Sequence, residues 1–458
     1  MNELTDKHVL VAGLGVSGEA AARFLIEQGA RVAATDSGDA ARLRALKAEL
    51  EQAGARVETG GHTAAFLDGI ECVVVSPGVP PGALPVRLAD ERGIPVISEI
   101  EFAFRHCRAR IAAITGTNGK TTVTQLVKEL LCAGGLECAV AGNIGEPLIE
   151  RVCRAGPDTV LAVEVSSFQL ERIERFRPDV AVLLNIAPDH MDRYASLDEY
   201  ARAKMRLFEN QTSGNVAVLH ESVVEGGYWP PGNSDAPHCI TYGDGAGCSL
   251  VLDGDAVVSG QLGRRYDLGG LWRLPGRHNR HNAMAAIAVA EAFGAGDEAV
   301  LDGLRRFRGL PHRIEFVGEA GGVRYINDSK ATNVDAVIKA LEAIEGPVVL
   351  IAGGLDKDLD FAPLRPAMCA QVKKCVLIGQ AAPKLAAEFA DDTECVRAGS
   401  LDEAVELAAA AASVGDTVLL SPGCASFDMF RDYAERGERF TQCVQSLPAC
   451  ASGSRQAE

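Results

Sequence analysis

Residues 113–127 read AITGTNGKTTVTQLV, and this stretch decides the fold of the middle of the chain. Apolar residues up to Thr115 predict a buried strand, and the small residues that follow predict a tight loop. The helix predicted next has one inward face, because apolar residues recur at i, i+3, i+4 and i+7: Val123, Leu126, Val127 and Leu130. Backbone N–H groups of such a loop surround an anion at the positive end of the helix, so the stretch predicts a phosphate-binding loop.

Lys120 and Thr121 suit this loop to a nucleoside triphosphate. A lysine here meets the β- and γ-phosphates, and the following hydroxyl meets a magnesium ion. The standard G-x-x-x-x-G-K-[ST] spacing asks for glycine where Ile114 stands, so this loop is a shorter variant that begins at Gly116. A glycine-rich turn with a solvated lysine is the alternative. The candidate ATP-binding residues of the loop are Gly116, Thr117, Asn118, Gly119, Lys120, Thr121 and Thr122.

Two residues at predicted strand ends are candidate Mg²⁺ ligands beside Thr121. Glu164 lies in AVEVSSFQLE, inside an apolar strand where an unpaired carboxylate is costly, so either a metal ion or an arginine is expected as its partner. His190 follows a strand in NIAPDHMDRY and is either a ligand or a structural histidine. Glu164 and His190 are both expected at the carboxyl ends of strands, the edge where α/β sheets bind ligands.

A second glycine loop lies near the start of the chain. VLVAGLGVSG, residues 9–18, predicts a strand that turns through G-x-G-x-x-G into a helix, with Gly13 at the turn and Gly15 allowing close backbone approach. Asp36 follows at the distance of a ribose-binding acidic residue, so this motif alone indicates an NAD-dependent oxidoreductase. A diphosphate next to a ribose also occurs in a UDP-sugar, so the loop identifies a diphosphate and not one particular ligand.

The composition is that of a large, acidic, globular protein. The chain has 458 residues, of which 47% are hydrophobic and 23% charged, and this length predicts roughly three domains. A net charge of −17 argues against a nucleic-acid partner. The start, MNELTDKHVL, predicts no signal peptide, and no apolar run is long enough to span a membrane. Thirteen cysteines without a C-x-x-C pair indicate reduced thiols in a cytoplasmic protein.

Apolar runs alternate with helical patterns almost throughout, which predicts an α/β fold of three domains. We predict an N-terminal Rossmann-like domain over 1–98, a central P-loop-type ATPase domain over 99–309 and a C-terminal Rossmann-like domain over 310–458, whose tail from about 449 to 458 is expected to be disordered. Residues 211–275, with short β-like runs between turns, are expected to form a small antiparallel appendage to the central parallel sheet.

From residue 8 to about residue 440 the chain resembles the Mur ligases. These are ATP-dependent enzymes that form amide bonds in peptidoglycan precursors and are related to folylpolyglutamate synthetases. The matching motifs are GTNGKTT, GNIG, EVSSFQLE and NIAPDHMDRY in the predicted central domain, and LPHRIE, INDSKATN and LLSPGCASFDMF in the predicted third domain. The third-domain motifs resemble the branch that joins D-glutamate to UDP-N-acetylmuramoyl-L-alanine.

The resemblance implies a ligand for each domain and a reaction mechanism. The first domain is expected to bind the UDP-sugar, the central domain ATP, and the third domain the amino acid. The carboxylate of the sugar substrate attacks the γ-phosphate of ATP, giving an acyl phosphate and ADP, and the amine of D-glutamate then displaces phosphate. The resemblance also implies Mg²⁺, a cytoplasmic location and a monomer without nucleic-acid or membrane partners.

The resemblance assigns roles to further residues. Glu164 and His190 become metal ligands, and Lys204 becomes one as its carbamate, although its context alone predicts a solvated helix lysine. The catalytic candidates are therefore Lys120, His190 and Lys204. The further residues implied near the nucleotide are Asn282, Arg313 and Asp328.

Two sets of substrate-binding residues are also implied. Those on the UDP-sugar side are Gly15, Ser17, Asp36, Ser37, Ser76, Pro77, Gly78 and Asn143. Those of the amino-acid side and the closed active site are Lys330, Thr332, Lys357, Ser426 and Phe427. Without the resemblance, Lys357 could equally be a surface cation paired with its neighbouring aspartates. The alternative functions are another Mur ligase or a folylpolyglutamate synthetase, an NAD-dependent dehydrogenase fused to an ATPase, and a nucleotide-gated binding protein.

Overall fold

The computed structural model describes residues 4–229, 235–260, 262–269, 274, 276–357, 359–447 and the backbone of 450–451. Its internal contacts divide the chain into two compact units. The first comprises Met1–Ile186, Tyr194–Trp272 and His281–Phe307. The second comprises Ala187–Arg193, Arg273–Arg280 and Arg308–Glu458.

The first sheet is parallel throughout, in the order β3-β2-β1-β4-β5 that is typical of a dinucleotide-binding fold. Its strands are β1 (His8–Ala12), β2 (Arg31–Asp36), β3 (Arg56–Thr59), β4 (Cys72–Val75) and β5 (Val96–Ser98). Its helices are α1 (Val16–Glu27), α2 (Ala41–Gln52), α3 (Leu84–Glu91) and α4 (Glu99–Phe104), with a 3₁₀ turn at Ala64–Leu67. The strand predicted at the start of residues 9–18 is confirmed as β1, and the parallel order places the carboxyl ends of all five strands at one edge.

The central sheet has nine strands in the order β14-β13-β12-β11-β10-β9-β6-β8-β7. The strands are β6 (Arg110–Thr115), β7 (Cys138–Gly142), β8 (Val160–Glu164), β9 (Val180–Leu183), β10 (Val216–His220), β11 (His238–Gly243), β12 (Leu250–Asp253), β13 (Ala256–Ser259) and β14 (Arg264–Asp267). The helices are α5 (Lys120–Ala133), α6 (Leu148–Val152), α7 (Ser167–Leu170), α8 (Leu197–Met205), α9 (Glu221–Glu225), α10 (Arg277–Ala292) and α11 (Asp297–Arg306), with a 3₁₀ turn at Arg206–Phe208. The inward face predicted for α5 is confirmed, because all four of its apolar positions are fully buried.

The prediction of an antiparallel appendage over 211–275 is wrong in its first half. β10 and β11 pair in parallel with each other and extend the main sheet from β9. The crossover helix α9 between them allows the chain to return in the same direction, which a tight hairpin cannot do. Among the described residues of this range, only β12, β13 and β14 form an antiparallel meander, and it continues the sheet beyond β11.

The third sheet runs β19-β18-β17-β20-β16-β15-β21 and is parallel except at β15, which is antiparallel to both β16 and β21. Its strands are β15 (Glu315–Ala320), β16 (Val323–Asn327), β17 (Val348–Gly353), β18 (Val372–Ile378), β19 (Glu394–Arg397), β20 (Thr417–Leu420) and β21 (Cys450–Ala451). Its helices are α12 (Val334–Ala343), α13 (Arg365–Gln371), α14 (Ala382–Glu388), α15 (Leu401–Ala411) and α16 (Tyr433–Gln445), with a 3₁₀ turn at Ala362–Leu364. Strand β17 is buried along its whole length, as expected when helices cover both faces.

The α/β class and the three-sheet organisation agree with the sequence-based prediction. The boundaries proposed at residues 98 and 309 stay predictions, since the first two sheets share one compact unit. Part of the tail that was expected to be disordered, Cys450–Ala451, pairs as β21 with β15. Its other positions, 449 and 452–458, lie outside the described residues.

Candidate active site

The predicted phosphate loop lies between β6 and α5, and residues from other parts of the chain hold its shape. Gly119 caps α5 with a φ of 87°, a conformation that favours glycine, and a Cβ there would lie 2.5 Å from Oδ1 of Asn282. Asn185 exchanges two hydrogen bonds with Asn118, receiving one from its N–H at 2.9 Å and donating one to its carbonyl at 3.0 Å. The glycine and the two asparagines therefore hold the loop in one shape beside Asn282.

Lys120 lies over this loop. Its ammonium donates to the carbonyl oxygens of Gly116 and Thr117 at 2.9 and 2.8 Å. The side chain is half-buried, so the alternative of a fully solvated lysine does not describe it. The cation is held where a phosphate in the loop would meet it.

Glu164, at the end of β8, is buried with 2% of its surface exposed. One carboxylate oxygen accepts from the Thr121 hydroxyl and the other from the Asn143 amide, both at 2.8 Å. Within the described chain neither arginine nor lysine pairs with it, so the arginine partner that the sequence left open is not found there. A buried carboxylate with two neutral donors is short of a cation.

Lys204, on α8, is buried rather than solvated, with 1% of its surface exposed. The prediction from its sequence context alone is therefore wrong, because the helix turns this face towards the phosphate loop. The ammonium donates to the Gly116 carbonyl at 2.9 Å and lies 4.4 Å from the centre of the Tyr200 ring. Lys120 donates to the same carbonyl, so two ammonium groups share one acceptor.

His190 belongs to the segment Ala187–Arg193 of the second unit. It adopts a φ of 56°, and its N–H donates to the Asp189 carboxylate at 2.9 Å. Asn333, in the same unit, donates to the other oxygen of Asp189 at 3.3 Å. Across the described part of the chain, no three His, Cys, Asp or Glu side chains are arranged to bind a metal ion. The ligand role of His190 stays a prediction.

A cavity of about 210 Å³ lies in the first unit next to Glu164's partner Asn143. Its lining comes from α1 (Val16, Ser17), the turn after β4 (Pro77), the end of β7 and the loop before α6 (Gly142, Asn143, Ile144, Gly145, Pro147), and α7 (Gln169). Three of the predicted UDP-sugar residues therefore line one cavity: Ser17, Pro77 and Asn143.

The first glycine loop forms part of the wall of this cavity. Gly13 has a φ of 87° and its carbonyl accepts from the Ser76 hydroxyl at 2.8 Å. No atom lies within 4 Å of where a Cβ on Gly15 would be, which leaves its backbone open to a ligand. Asp36 uses both carboxylate oxygens on backbone amides, those of Leu14 at 2.6 Å and Gly38 at 2.8 Å. Ser37 and Gly78 are exposed.

In the second unit, Asp328 lies at the end of β16 and is buried. Burial raises the pKa of Asp328 to about 7, although the Ser421 hydroxyl at 2.8 Å, the Ile314 amide at 3.2 Å and the nearby Arg313 favour its ionised form. Lys330 places its ammonium 3.7 Å from the centre of the Tyr433 ring. Thr332 is half-buried between β16 and α12.

Lys357 is exposed, and the described residues offer it no ion pair. Its neighbour Asp356 pairs instead with Lys384 at 3.3 Å, which argues against an Asp356–Lys357 pair, and Asp358 lies outside the described residues. In the loop after β20, Ser426 is buried and Phe427 has 66% of its surface exposed.

Sequence reasoning missed Arg436, which is fully buried on α16. Its guanidinium donates to the carbonyl and hydroxyl of Ser329 and to the Cys424 carbonyl, at 2.8 to 3.1 Å. Burial lowers the pKa of Arg436 to about 10. It joins the loop of Asp328 and Lys330 to the loop of Ser426. An arginine in a polar helix, ERGERF, gives no sign of this burial.

Family models match most of the chain. A model described as the Mur ligase MurD-like N-terminal domain matches residues 7–98, the Mur ligase middle domain matches 114–290, and the Mur ligase glutamate ligase domain matches 312–424. No helix in the described chain is long and apolar enough to cross a bilayer.

Relatives with known names cover the chain from end to end. The UDP-N-acetylmuramoylalanine–D-glutamate ligase of Pelotomaculum thermopropionicum is 43% identical over 98% of this chain and 99% of its own. That of Trichlorobacter lovleyi is 44% identical over 97% of this chain and 100% of its own. The solved MurF ligase of Thermotoga maritima, a complex with ADP, shares the fold with a TM-score of 0.58 at 15% identity, covering 96% of this chain and 95% of that one. The chain therefore belongs to the Mur ligase family.

Proposed function

We propose that this protein joins D-glutamate to UDP-N-acetylmuramoyl-L-alanine, using ATP and releasing ADP and phosphate. The named relatives at 43 and 44% identity support this choice of substrates. We further propose that it works as a monomer in the cytoplasm, in the synthesis of peptidoglycan precursors.

One observation carries the proposal: Glu164 connects the phosphate loop to the cavity. Its two oxygens accept from Thr121 of the loop and from Asn143 of the cavity wall. A carboxylate substrate bound in the cavity would therefore be one side chain away from a phosphate bound in the loop. Phosphoryl transfer needs this proximity, because an enzyme lowers the activation barrier of this reaction largely by holding the reacting atoms together.

The residues around Glu164 fit a magnesium ion. Thr121 and Glu164 offer the hydroxyl and carboxylate oxygens that this ion prefers, and Glu164 is buried without a cationic partner among the described residues. With them, His190 and a carbamylated Lys204 would hold the ion. When bound, magnesium neutralises negative charge on the transferring phosphoryl group. Lys120 supplies a second positive charge from within the loop.

Carbamylation of Lys204 is supported by its surroundings. Its ammonium is buried and shares the Gly116 carbonyl with Lys120, and like charges in such a place disfavour each other. Addition of carbon dioxide to the neutral amine forms an N–C bond and releases a proton. The product carries a negative charge, so it would pair with a cation rather than repel one.

The remaining assignments follow the two substrates. Residues at four places in the first unit are proposed to bind the UDP-sugar: Gly15 and Ser17 at the first glycine loop, Asp36 and Ser37 at the end of β2, Ser76, Pro77 and Gly78 after β4, and Asn143 after β7. Asn282, Arg313 and Asp328 are proposed to bind the nucleotide, and Lys330, Thr332, Lys357, Ser426 and Phe427 to bind D-glutamate or complete the active site. A lysine and hydroxyl donors suit a substrate with two carboxylates.

In the proposed reaction, the carboxylate of the sugar substrate forms a bond to the γ-phosphorus and the bond to ADP breaks. The D-glutamate amine then attacks the acyl carbon, loses a proton, and phosphate leaves. Lys120 and the α5 N-terminus hold the phosphates through both steps.

Phosphate release measured with ATP, magnesium and UDP-N-acetylmuramoyl-L-alanine tests the proposal. D-glutamate, L-glutamate, L-lysine and meso-diaminopimelate are added in turn, and release is expected with D-glutamate alone. The control variant Lys120→Ala is expected to bind the UDP-sugar and release no phosphate. Release that depends on another of these amino acids would refute the assignment.

A further inference from the structure

Gln169 lines the cavity with its amide group in a fixed orientation. Its Oε1 accepts from the backbone N–H of Ser166 at 2.7 Å and from the Ser166 hydroxyl at 3.1 Å, in a capping box at the start of α7. A backbone N–H can only donate, so the oxygen must face Ser166 and the nitrogen must face the opposite way. The assignment of oxygen and nitrogen in this amide is therefore unambiguous.

The nitrogen of Gln169 donates to Oε1 of Glu99 at 2.7 Å. Glu99 has 3% of its surface exposed and is the first residue of α4. Among the described residues, Gln169 makes the one hydrogen bond to this carboxyl group. A buried carboxyl group with a single neutral partner contributes little to the free energy of unfolding. Its role is therefore better explained by the orientation that it gives to that partner.

Helix α4 is tied by hydrogen bonds to the segment between α7 and β9, which fixes the backbone of Glu99. The N–H of Ser98 donates to the Arg172 carbonyl at 2.9 Å. One oxygen of Glu101 accepts from three consecutive backbone amides, those of Glu174, Arg175 and Phe176, at 2.8 to 3.0 Å. Glu99 therefore cannot shift without breaking these contacts.

We propose that Glu99 is a positioning residue for the sugar nucleotide: it holds Gln169 so that the second amide N–H of Gln169 donates to an oxygen of the substrate in the cavity. This proposal rests on the proposed function for the identity of that substrate. An amide carries two N–H donors, and within the described residues only the one directed to Glu99 is used. The second is left for a ligand oxygen, which belongs either to the diphosphate or to the sugar.

Burial raises the pKa of Glu99 to about 7, and the bond from Gln169 opposes this rise. Both forms of the carboxyl group keep an oxygen that can accept from Gln169. Glu99→Gln also keeps such an oxygen, whereas Glu99→Met removes it at similar size. The two variants therefore separate the loss of the acceptor from the loss of the charge.

Calorimetric titration with UDP-N-acetylmuramoyl-L-alanine, without ATP, tests the proposal. Glu99→Met is expected to raise the dissociation constant about tenfold, the effect of losing one oriented hydrogen bond, and Glu99→Gln to leave it near the wild-type value. Gln169→Leu is expected to match Glu99→Met. Because both act through one bond to the ligand, the double variant should be no weaker than Gln169→Leu.

A second titration with UDP alone identifies the oxygen. If UDP binding weakens in Glu99→Met by the same factor, the ligand oxygen lies on the diphosphate; if only the complete substrate is affected, it lies on the sugar part. Ile100→Val, on the same helix, controls for a general loss of packing and should leave both constants unchanged. Steady-state measurements should show a raised KM for the UDP-sugar with an unchanged KM for D-glutamate.

Unchanged binding in either Glu99→Met or Gln169→Leu, or additive effects in the double variant, would overturn the proposal. So would Glu99→Gln binding as weakly as Glu99→Met, since the acceptor would then not matter. The titration needs no turnover, so its outcome is independent of which amino acid the wild-type protein uses. A failure of the proposed function would appear instead in the phosphate-release assay.

Discussion

Asp328 should make the second unit less stable as the pH rises, and Asp328→Asn should remove this effect. The carboxyl group is buried at the end of β16, and its two hydrogen-bond donors are the Ser421 hydroxyl and the Ile314 amide. An asparagine can keep both contacts, because its oxygen accepts from the amide and the hydroxyl can rotate to accept from its nitrogen. The substitution therefore removes the charge and little else.

The sign follows from which state holds the proton. The pKa of Asp328 rises from 3.8 to about 7 in the folded protein because burial disfavours the carboxylate. Below pH 3.8 both states are protonated and the group has no effect. Between about pH 4 and 7 the unfolded chain loses its proton first, so the free energy of unfolding falls, and above pH 7 it levels off. At about 1.36 kcal/mol per pKa unit the full loss is about 4 kcal/mol, of which about 3 kcal/mol falls between pH 4.5 and 8.

Hydrogen exchange of peptides from β16 and β20, at pH 4.5 and pH 8 with correction for the intrinsic exchange rate, measures this difference within the second unit. Relative to the wild type, Asp328→Asn should gain about 3 kcal/mol over this range. Asp416→Asn is the matched control, because the Lys373 ammonium at 2.6 Å and the Ser413 amide outweigh burial and hold the pKa of Asp416 below its usual value. Both the unfolded pKa of Asp416, 3.8, and its lowered folded pKa lie below pH 4.5, so that variant should run nearly parallel to the wild type between pH 4.5 and 8. Parallel profiles for wild type and Asp328→Asn would refute the reasoning.

Three further predictions concern the two glycine loops and the second unit. Gly13→Ala should lower the free energy of unfolding by at least about 1 to 2 kcal/mol, since the φ of Gly13 is 87° and the new Cβ would lie 2.6 Å from Val79. Gly15→Ala, where the new Cβ meets open space, should leave the free energy of unfolding unchanged and raise the KM for the UDP-sugar. Lys204→Ala should lose activity by about 100-fold or more and recover part of it with short carboxylic acids; wild-type activity without them would rule out the carbamate. Arg436→Met should lower the free energy of unfolding by about 3 kcal/mol, because the buried carbonyl oxygens of Cys424 and Ser329 lose their donor. Urea denaturation measures the change, and a variant as stable as the wild type would contradict the prediction.

The regular parts of the fold could be predicted from the sequence because their signals are local. The strand ending at Thr115 and the helix with Val123 and Leu130 are read from apolar spacing alone. Strand β3 has one buried residue in four and gives no such signal. The direction of β10 and β11 was mistaken because it depends on the crossover between them, which spacing within the strands does not reveal.

The candidate site divides in the same way. Residues next to a strand end or a glycine, such as Thr121 and Glu164, could be found from their neighbours in the chain. Lys204 and Arg436 could not, because each is buried by elements far away in sequence, and a lysine or arginine on a helix is normally exposed. Glu99 was missed for a similar reason, since the side chain that donates to it, Gln169, lies 70 residues further along.

The charges around Gly116 suit this loop to the triphosphate that is proposed to bind there. Lys120 and Lys204 both donate to its carbonyl, and Glu164 accepts from the neutral donors Thr121 and Asn143. Two ammonium groups that share one acceptor repel each other, and the repulsion is stronger in a buried place than in water. A triphosphate would relieve it at Lys120, and carbamylation would relieve it at Lys204 by turning a cation into an anion. The first loop, in contrast, has no lysine or arginine in 9–18, and the Arg42 guanidinium that donates to its Leu14 carbonyl at 3.4 Å is also paired with Glu19 at 2.8 Å. A diphosphate held there would therefore meet less uncompensated positive charge than a phosphate at Gly116.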